Sequence, residues 1–329
     1  MQRRKFISKN CAILAGVMAL SAWTGTAAQA QPLSDKPIRI MVPFGAGGVA
    51  DVTSRVVAQQ LSTQLGQPVV IENKPSAGGI VAADAVAKSQ PDGHTLFLMS
   101  NGSAVTVNMF KQLPFDMVKD LTPVSTLGYF DIGVVADGNS QFKNLREVVS
   151  YAKANPGKLN IGSINVGSTQ HLAAELFKST AGIDAQVIPF NGTPAVVTAL
   201  RGKQVDVAVE ILSPITGQIQ SKAVKLLAVT SDKRSTLLPD VTTAQEEGVN
   251  GFVASSWNAL AVSSKTPPAL VERLHKEISA AVRNPEVIKK LRDLNVQAQD
   301  STPEQTAQLL ASEIKRWGAV IDAANIPKQ

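Results

Sequence analysis

The segment Ile38-Arg-Ile-Met-Val-Pro-Phe44 is a short apolar run that stops in Gly45-Ala46-Gly47-Gly48-Val49-Ala50. From Asp51 to Leu65 apolar residues then recur at helical spacing, including Val52, Val56, Ala58 and Leu61. A buried strand, a glycine turn and an amphipathic helix make one unit of an α/β fold, and the unit repeats along the chain. Pro68-Val-Val-Ile71 is a second strand, and Ala77-Gly-Gly79 opens a helix through Lys88. Thr95-Leu-Phe-Leu-Met99 is a third strand. Strands near 159–163, 186–190, 205–209 and 225–230 alternate with helices near 143–154, 168–181, 193–201 and 241–247. Strands separated by helices in this way form mainly parallel sheets covered on both faces.

The C-terminal part departs from the rhythm, with a strand near 259–262 and then three helices. Thr302-Pro303-Glu304-Gln305 reads as a capping box with proline at the first helical position. Leu310, Ile314, Trp317 and Ile321 beyond it form one core-facing stripe. No long Pro/Ser/Gly linker divides the chain. The stretches 121–136 and 251–262 read instead as two crossings between lobes. They give residues 31–130 with 255–329 as one discontinuous lobe and 131–254 as the other. A cleft between lobes hinged on two strands is a natural place for a small ligand.

The chain is 329 residues with 44% hydrophobic and 18% charged residues, which excludes a disordered protein. Residues 1–30 read as an export signal. Arg3-Arg4-Lys5 and Lys9 precede an apolar stretch from Cys11 to about Trp23, and Ala28-Gln29-Ala30 is a cleavage site of the A-x-A kind. The apolar stretch is short of the roughly 20 residues of a membrane span. Arg3-Arg4-Lys5-Phe6-Ile7 partly matches a twin-arginine signal, with Gln2 in place of the usual Ser/Thr, so both export routes stay open. Cleavage after Ala30 leaves 28 basic and 26 acidic residues, a net +2, with no basic stripe interleaved with aromatics. Nucleic acid is therefore not an expected partner. Cys11 is the only cysteine, so the mature chain has no disulfide and no thiolate site.

The loops at strand ends carry the candidate site. Gly45-Ala46-Gly47-Gly48-Val49-Ala50 fits G-x-G-x-x-A, with Glu72 near where a ribose-binding acid would stand. The same glycines suit a carboxylate equally well, because they let backbone N–H groups approach an anion at a helix N-terminus. Ser100-Asn101-Gly102-Ser103, Ser163-Ile-Asn165-Val-Gly167-Ser168-Thr169 and Asn191-Gly192-Thr193 lie at other strand ends. Each is an ordinary cap alone and a site only if they converge. Glu210 ends an apolar strand, where it meets either a ligand amine, a bound water or the following turn. His94, His171 and His275 are far apart, and no H-E-x-x-H, G-x-S-x-G or Walker lysine occurs. These patterns point to no metal, no cofactor and no enzyme.

As an ordered set these residues resemble the Bug-type extracytoplasmic solute receptors of tripartite tricarboxylate transporters. The resemblance is carried by Lys36-Pro-Ile-Arg-Ile-Met-Val-Pro-Phe44 with Gly47-Gly48 and Asp51, and by Gln67-Pro-Val-Val-Ile-Glu-Asn-Lys-Pro75 with Ala77-Gly-Gly79. Pro91-Asp-Gly-His-Thr-Leu96, Gly167-Ser-Thr-Gln-His-Leu172 and Leu227-Ala-Val-Thr-Ser-Asp-Lys-Arg234 continue it. It implies a two-lobed, type II-like periplasmic binding protein, monomeric, that closes on a small organic acid and hands it to membrane permease subunits. The ligand contacts it implies run from Phe44 to Asp51 and include Ser163, Gly167, Ser168 and Thr169. Ser100, Asn101, Asn165, Phe190, Asn191 and Glu210 join them as strand-end positions, and His171 is given a role in orienting its loop. Gly45-Ala46 and Val49-Ala50 stand where the family usually has Pro-Pro and Ser-Thr. Phe190-Asn191 stands where Tyr-Lys is common, and Glu210 where Asp is usual. The pocket is then more apolar and short of a cation, which suits an aromatic, branched or dicarboxylic acid. An exported NAD(P)-dependent oxidoreductase built on the Gly45–Ala50 loop, and a receptor reporting to a membrane kinase, are the alternative readings.

Overall fold

The computed structural model describes residues 36–329, and the expected export signal lies outside them. β1 (Ile38–Val42), β2 (Val69–Asn73) and β3 (Thr95–Ser100) run parallel, connected through α1 (Val49–Leu65) and α2 (Ile80–Ala87). α3 (Asn101–Met109) follows β3 directly, and the chain then enters β4, a single long strand from Leu121 to Asp137. Up to Asp131 this strand pairs antiparallel with β9 (Ser255–Ser263); from Ile132 it pairs antiparallel with β7 (Val207–Ile211), and from Gly133 also with β8 (Val224–Val229). β5 (Leu159–Ile164) and β6 (Ala185–Phe190) extend the second half parallel to β7. α4 (Leu145–Ala154), α5 (Thr169–Ala181), α6 (Thr193–Arg201) and α7 (Thr216–Gln220) are the intervening helices. After β9 come α8 (Pro268–Val282), α9 (Pro285–Asp293), β10 (Gln297–Ala298) and α10 (Pro303–Ala323).

The result is one continuous sheet ordered β2-β1-β3-β9-β4-β7-β5-β6, with β8 and β10 also pairing β4. Strand directions follow from the pairings. In the second half β5, β6, β7 and β8 point one way and β4 opposes them; in the first half β9 and β10 oppose the rest. The fold is α/β and mainly parallel, and its antiparallel members sit where the chain crosses between halves. Thr230 laces those crossings. Its N–H donates to the Ile132 carbonyl at 2.9 Å, while its carbonyl accepts from the Ala254 N–H at 2.7 Å.

The helices form for the reasons their sequences give. Thr302 and Gln305 make a reciprocal box at the start of α10, at 3.0 and 3.2 Å. Leu310, Trp317 and Ile321 on that helix are buried at 2% exposure or less, with Ile314 packed against them. Asn144 Oδ1 caps α4 by accepting the Glu147 N–H at 2.9 Å. One expected helix is absent. Residues 241–247 make a turn instead, with Thr243 bridged to Val229 and Glu246 accepting the Thr243 N–H at 2.8 Å. That Thr–Glu pair begins a helix, but Gly248 at φ +93° closes it after one turn. The ordinary cap read at Ser100–Ser103 opens a helix, α3, with the Ser100 N–H donating to Ser103 Oγ at 3.1 Å. Val105 and Met109 on α3 are buried in the same core as Trp317. That packing outweighs the low helix propensity of Val105, Thr106 and Val107.

Candidate functional site

A cleft of about 530 Å³ opens where the strand ends of the two halves face each other, a volume in the range of small-molecule sites. Four helix N-termini reach its wall. They are α1 at Gly48–Ala50, α2 with the tight turn Ala77–Gly79 before it, α3 at Ser100–Ser103, and α5 at Ser168–Gln170. The first two are capped by Gly48 and Gly79, which contribute no side-chain acceptor to the first-turn amides. The first-turn N–H groups of α1 therefore remain available to an anion, whereas at α2 the Ile80 N–H donates to the Ala77 carbonyl and the Val81 N–H to Ser76 Oγ at 3.1 Å; each helix places a partial positive charge at its end. Among the described residues the cleft wall contains no Lys, Arg, His, Asp or Glu side chain. The rest is largely apolar, with Phe44 and Val166 exposed on opposing loops and Met109, Phe110, Phe130 and Ile211 deeper in.

The first loop is shaped by a residue that does not touch the cleft. Asp51 is 2% exposed, and its carboxylate accepts from the Gly47 N–H at 2.8 Å and from Asn73 Nδ2 at 2.9 Å while pairing with Arg55 at 2.9 Å. The same Asn73 amide donates to the Phe44 carbonyl at 3.0 Å. Both ends of the glycine loop are thereby tied to one buried carboxylate. Burial opposes its charge, but Arg55, the Gly47 N–H and Asn73 outweigh burial and hold its pKa below the ordinary Asp value. Asp51→Ala should cost about 2 kcal/mol in urea denaturation, because two part-buried donors lose a charged acceptor. An unchanged midpoint would show that the clasp does not hold the loop.

Of the other expected contacts, Phe44, Gly48, Val49, Ala50, Ser100, Asn165, Gly167, Ser168 and Thr169 line the cleft, whereas Gly45, Ala46 and Gly47 do not. Asn101, at the start of α3, is fully buried. Its Oδ1 accepts from Trp317 Nε1 at 2.7 Å and its Nδ2 donates to Thr169 Oγ1 at 3.4 Å, so it joins the walls instead of facing the space between them. Ser163 is buried behind the α5 loop. The Phe190 carbonyl accepts the Asn165 N–H at 3.0 Å, and Asn191 is exposed beyond it; neither residue lines the cleft. Ser168 Oγ accepts the His171 N–H at 3.1 Å and donates to the Ile164 carbonyl at 3.0 Å, so His171 steadies this loop through its backbone.

Glu210 is fully buried behind the wall. One carboxylate oxygen accepts from Thr193 Oγ1 at 3.0 Å and from Gln170 Nε2 at 3.5 Å. Burial pushes its pKa up to about 7, against smaller opposing hydrogen bonds from Thr193 and Gln170. Gln170 itself lines the cleft, so Glu210 acts on the site through it. Glu72 is engaged by Arg39, with Nη2 to Oε2 at 2.9 Å, and does not line the cleft, which leaves the dinucleotide pattern without its acid.

Ser76, Ser256, Asn258, Phe130 and Ile211 also line the cleft, as do Ala77, Gly78 and Gly79, and sequence reasoning did not place any of them in the site. The strand residues among them read as core, and only the Ala77-Gly-Gly79 turn carried a usable signal. Gly78 and Gly79 adopt φ of +61° and +68°.

Comparison with known proteins agrees with this geometry. A family model described as tripartite tricarboxylate transporter family receptor matches residues 53–326. Protein BugT of Bordetella pertussis is 33% identical over 308 residues, covering 93% of this chain and 94% of its own. The structure of the periplasmic binding protein BugD superposes with a TM-score of 0.77 at 30% identity, over 90% of this chain and all (100%) of that one. An R. palustris protein, Rpa4515, solved with adipate, has a TM-score of 0.79 at 28% identity, covering 88% and 98%. These relatives are solute-binding receptors and not enzymes. No helix among the described residues is long and apolar enough to cross a membrane.

Proposed function

Because the chain belongs to the tripartite tricarboxylate transporter receptor family, we propose that it captures a small organic acid with an apolar body and delivers it to that transporter's membrane permease. The observation that carries this reading is the convergence of helix N-termini on a cleft without charged side chains. Such a site neutralises a carboxylate with backbone N–H groups and helix dipoles, and it discriminates by the apolar walls around them. An aromatic acid or a medium-length dicarboxylate fits both features, and the adipate bound by Rpa4515 has the second form. Residues 31–130 with 255–329 and residues 131–254 act as the two lobes. Phe44 and Val166, 40% and 50% exposed, are the apolar lips that closure would bring over the ligand. The protein is exported to the periplasm and loses residues 1–30.

A thermal-shift screen of refolded residues 31–329 tests this reading against mono-, di- and tricarboxylates, aromatic acids and NAD(P). An acid at about 100 times its dissociation constant should stabilise the native state by about 2.7 kcal/mol. A shift with NAD(P) and with no acid would overturn the proposal.

A further inference from the structure

Asn258 lies on β9, one of the two crossing strands, in register with Ser100 on one side and Gly128 on the other. It is fully buried and lines the cleft floor together with Ser256. The two are separated by one residue, and Trp257 between them turns into the core, as strand alternation requires. Neither Nδ2 nor Oδ1 of Asn258 has a hydrogen-bond partner among the described residues. A buried amide with both its donor and its acceptor unmatched is costly unless something else meets it.

We infer that Asn258 is a specificity-determining residue, reading an uncharged donor-and-acceptor group, a hydroxyl or a carboxamide, on the body of the bound acid. This rests on the carboxylate reading above. The chemistry follows from the two unmatched atoms. Nδ2 needs an acceptor and Oδ1 needs a donor. A bare carboxylate satisfies the first and faces the second with like partial charge, and a methylene satisfies neither. A hydroxyl or primary amide answers both at once. The acid's charged end then lies at the helix N-termini, and its hydrogen-bonding group lies on the floor.

The test compares acids that differ at that group alone, 4-hydroxybenzoate against benzoate and adipamate against adipate, by titration calorimetry on the wild type and on Asn258→Leu. The wild type should prefer the hydroxyl- or amide-bearing member of at least one pair by about tenfold or more, because rejecting it leaves buried polar atoms unpaired. In Asn258→Leu the preference should vanish while the plain acid keeps its affinity. Equal affinities within both pairs in the wild type would overturn the inference, as would a variant that weakens both members of the preferred pair alike. The wild-type comparison decides by itself if the variant does not fold. Failure of every acid to bind would refute the carboxylate reading, and this inference with it.

Discussion

Gly78→Val should abolish ligand binding, lowering affinity at least about a hundredfold, and should destabilise the fold by about 3 kcal/mol. A Cβ at Gly78 would lie 2.7 Å from Phe110 Cε2 and 2.9 Å from both Cγ2 and Oγ1 of Thr106. Those side chains line the cleft, and Thr106 Oγ1 donates to the Gly78 carbonyl at 2.8 Å. The β-branched residue would also be forced to φ +61°, which costs of order 1–3 kcal/mol by itself. Relief requires α3 to move away from the turn, and α3 supplies one of the anion-facing helix ends. Gly66→Ala is the control. It has a similar φ of +65° but nothing within 4 Å, so it reports backbone strain alone, of order 1 kcal/mol, with binding intact. Equal binding by Gly78→Val and the wild type would remove the second turn from the site. Space is open around Gly47 and Gly48, and among the glycines that line the cleft the crowded ones are Gly78 and Gly79.

Glu210→Gln should make the protein more stable at pH 8 and remove part of its pH dependence. Burial raises the Glu210 pKa from 4.5 to about 7, so the folded state holds this proton more tightly than the unfolded chain does. For a carboxyl shifted upward, its contribution is fully present below pH 4.5 and is lost as pH rises to and through about 7. That loss is about 3 kcal/mol at 1.36 kcal/mol per pKa unit. Glutamine has the same shape and no charge to bury, and it retains an acceptor for Thr193. Urea denaturation at pH 5 and pH 8 should show wild type and variant converging at the lower pH and separating at the higher. Parallel curves at both pH values would mean that Glu210 is ionised without cost. The variant also tests whether Glu210 reaches the ligand through Gln170, since its charge is then gone while the hydrogen bonds persist.

Much of the fold was legible because its signals are local. A strand stopping in glycines, a capping box at Thr302 and a core stripe through Trp317 each need only a few neighbouring residues, and each has its counterpart in the structure. What local signals miss depends on what surrounds a segment. Residues 241–247 carry a helix start but are closed by Gly248, while the cap at Ser100 does not give the extent of α3, whose β-branched residues are held helical by packing in the Trp317 core.

The candidate site divides in the same way. Glycine and hydroxyl loops at strand ends announce themselves, and Gly48, Ser100, Gly167 and Ser168 line the cleft. Polar residues beside them were harder to place. Asp51 and Asn101 look like ligand contacts but are consumed in holding a loop and joining two walls. In sequence a buried positioning residue and a contact residue are the same letters, and only the third dimension separates them. Asn258 is the converse. Embedded in Ser-Ser-Trp-Asn-Ala-Leu, it reads as part of a strand, and its unmatched amide becomes visible only when every neighbour is in place.

Whether helix N-termini hold the carboxylate without a cationic side chain is decided by a crystal structure of residues 31–329 with the acid selected by the thermal-shift screen. The ligand carboxylate should accept two or more backbone N–H bonds of about 2.9 Å from the first turns of α1, α2, α3 or α5, with no Lys or Arg nitrogen within about 4 Å. An acid whose carboxylate pairs with a lysine or arginine, or one bound outside this cleft, would contradict it.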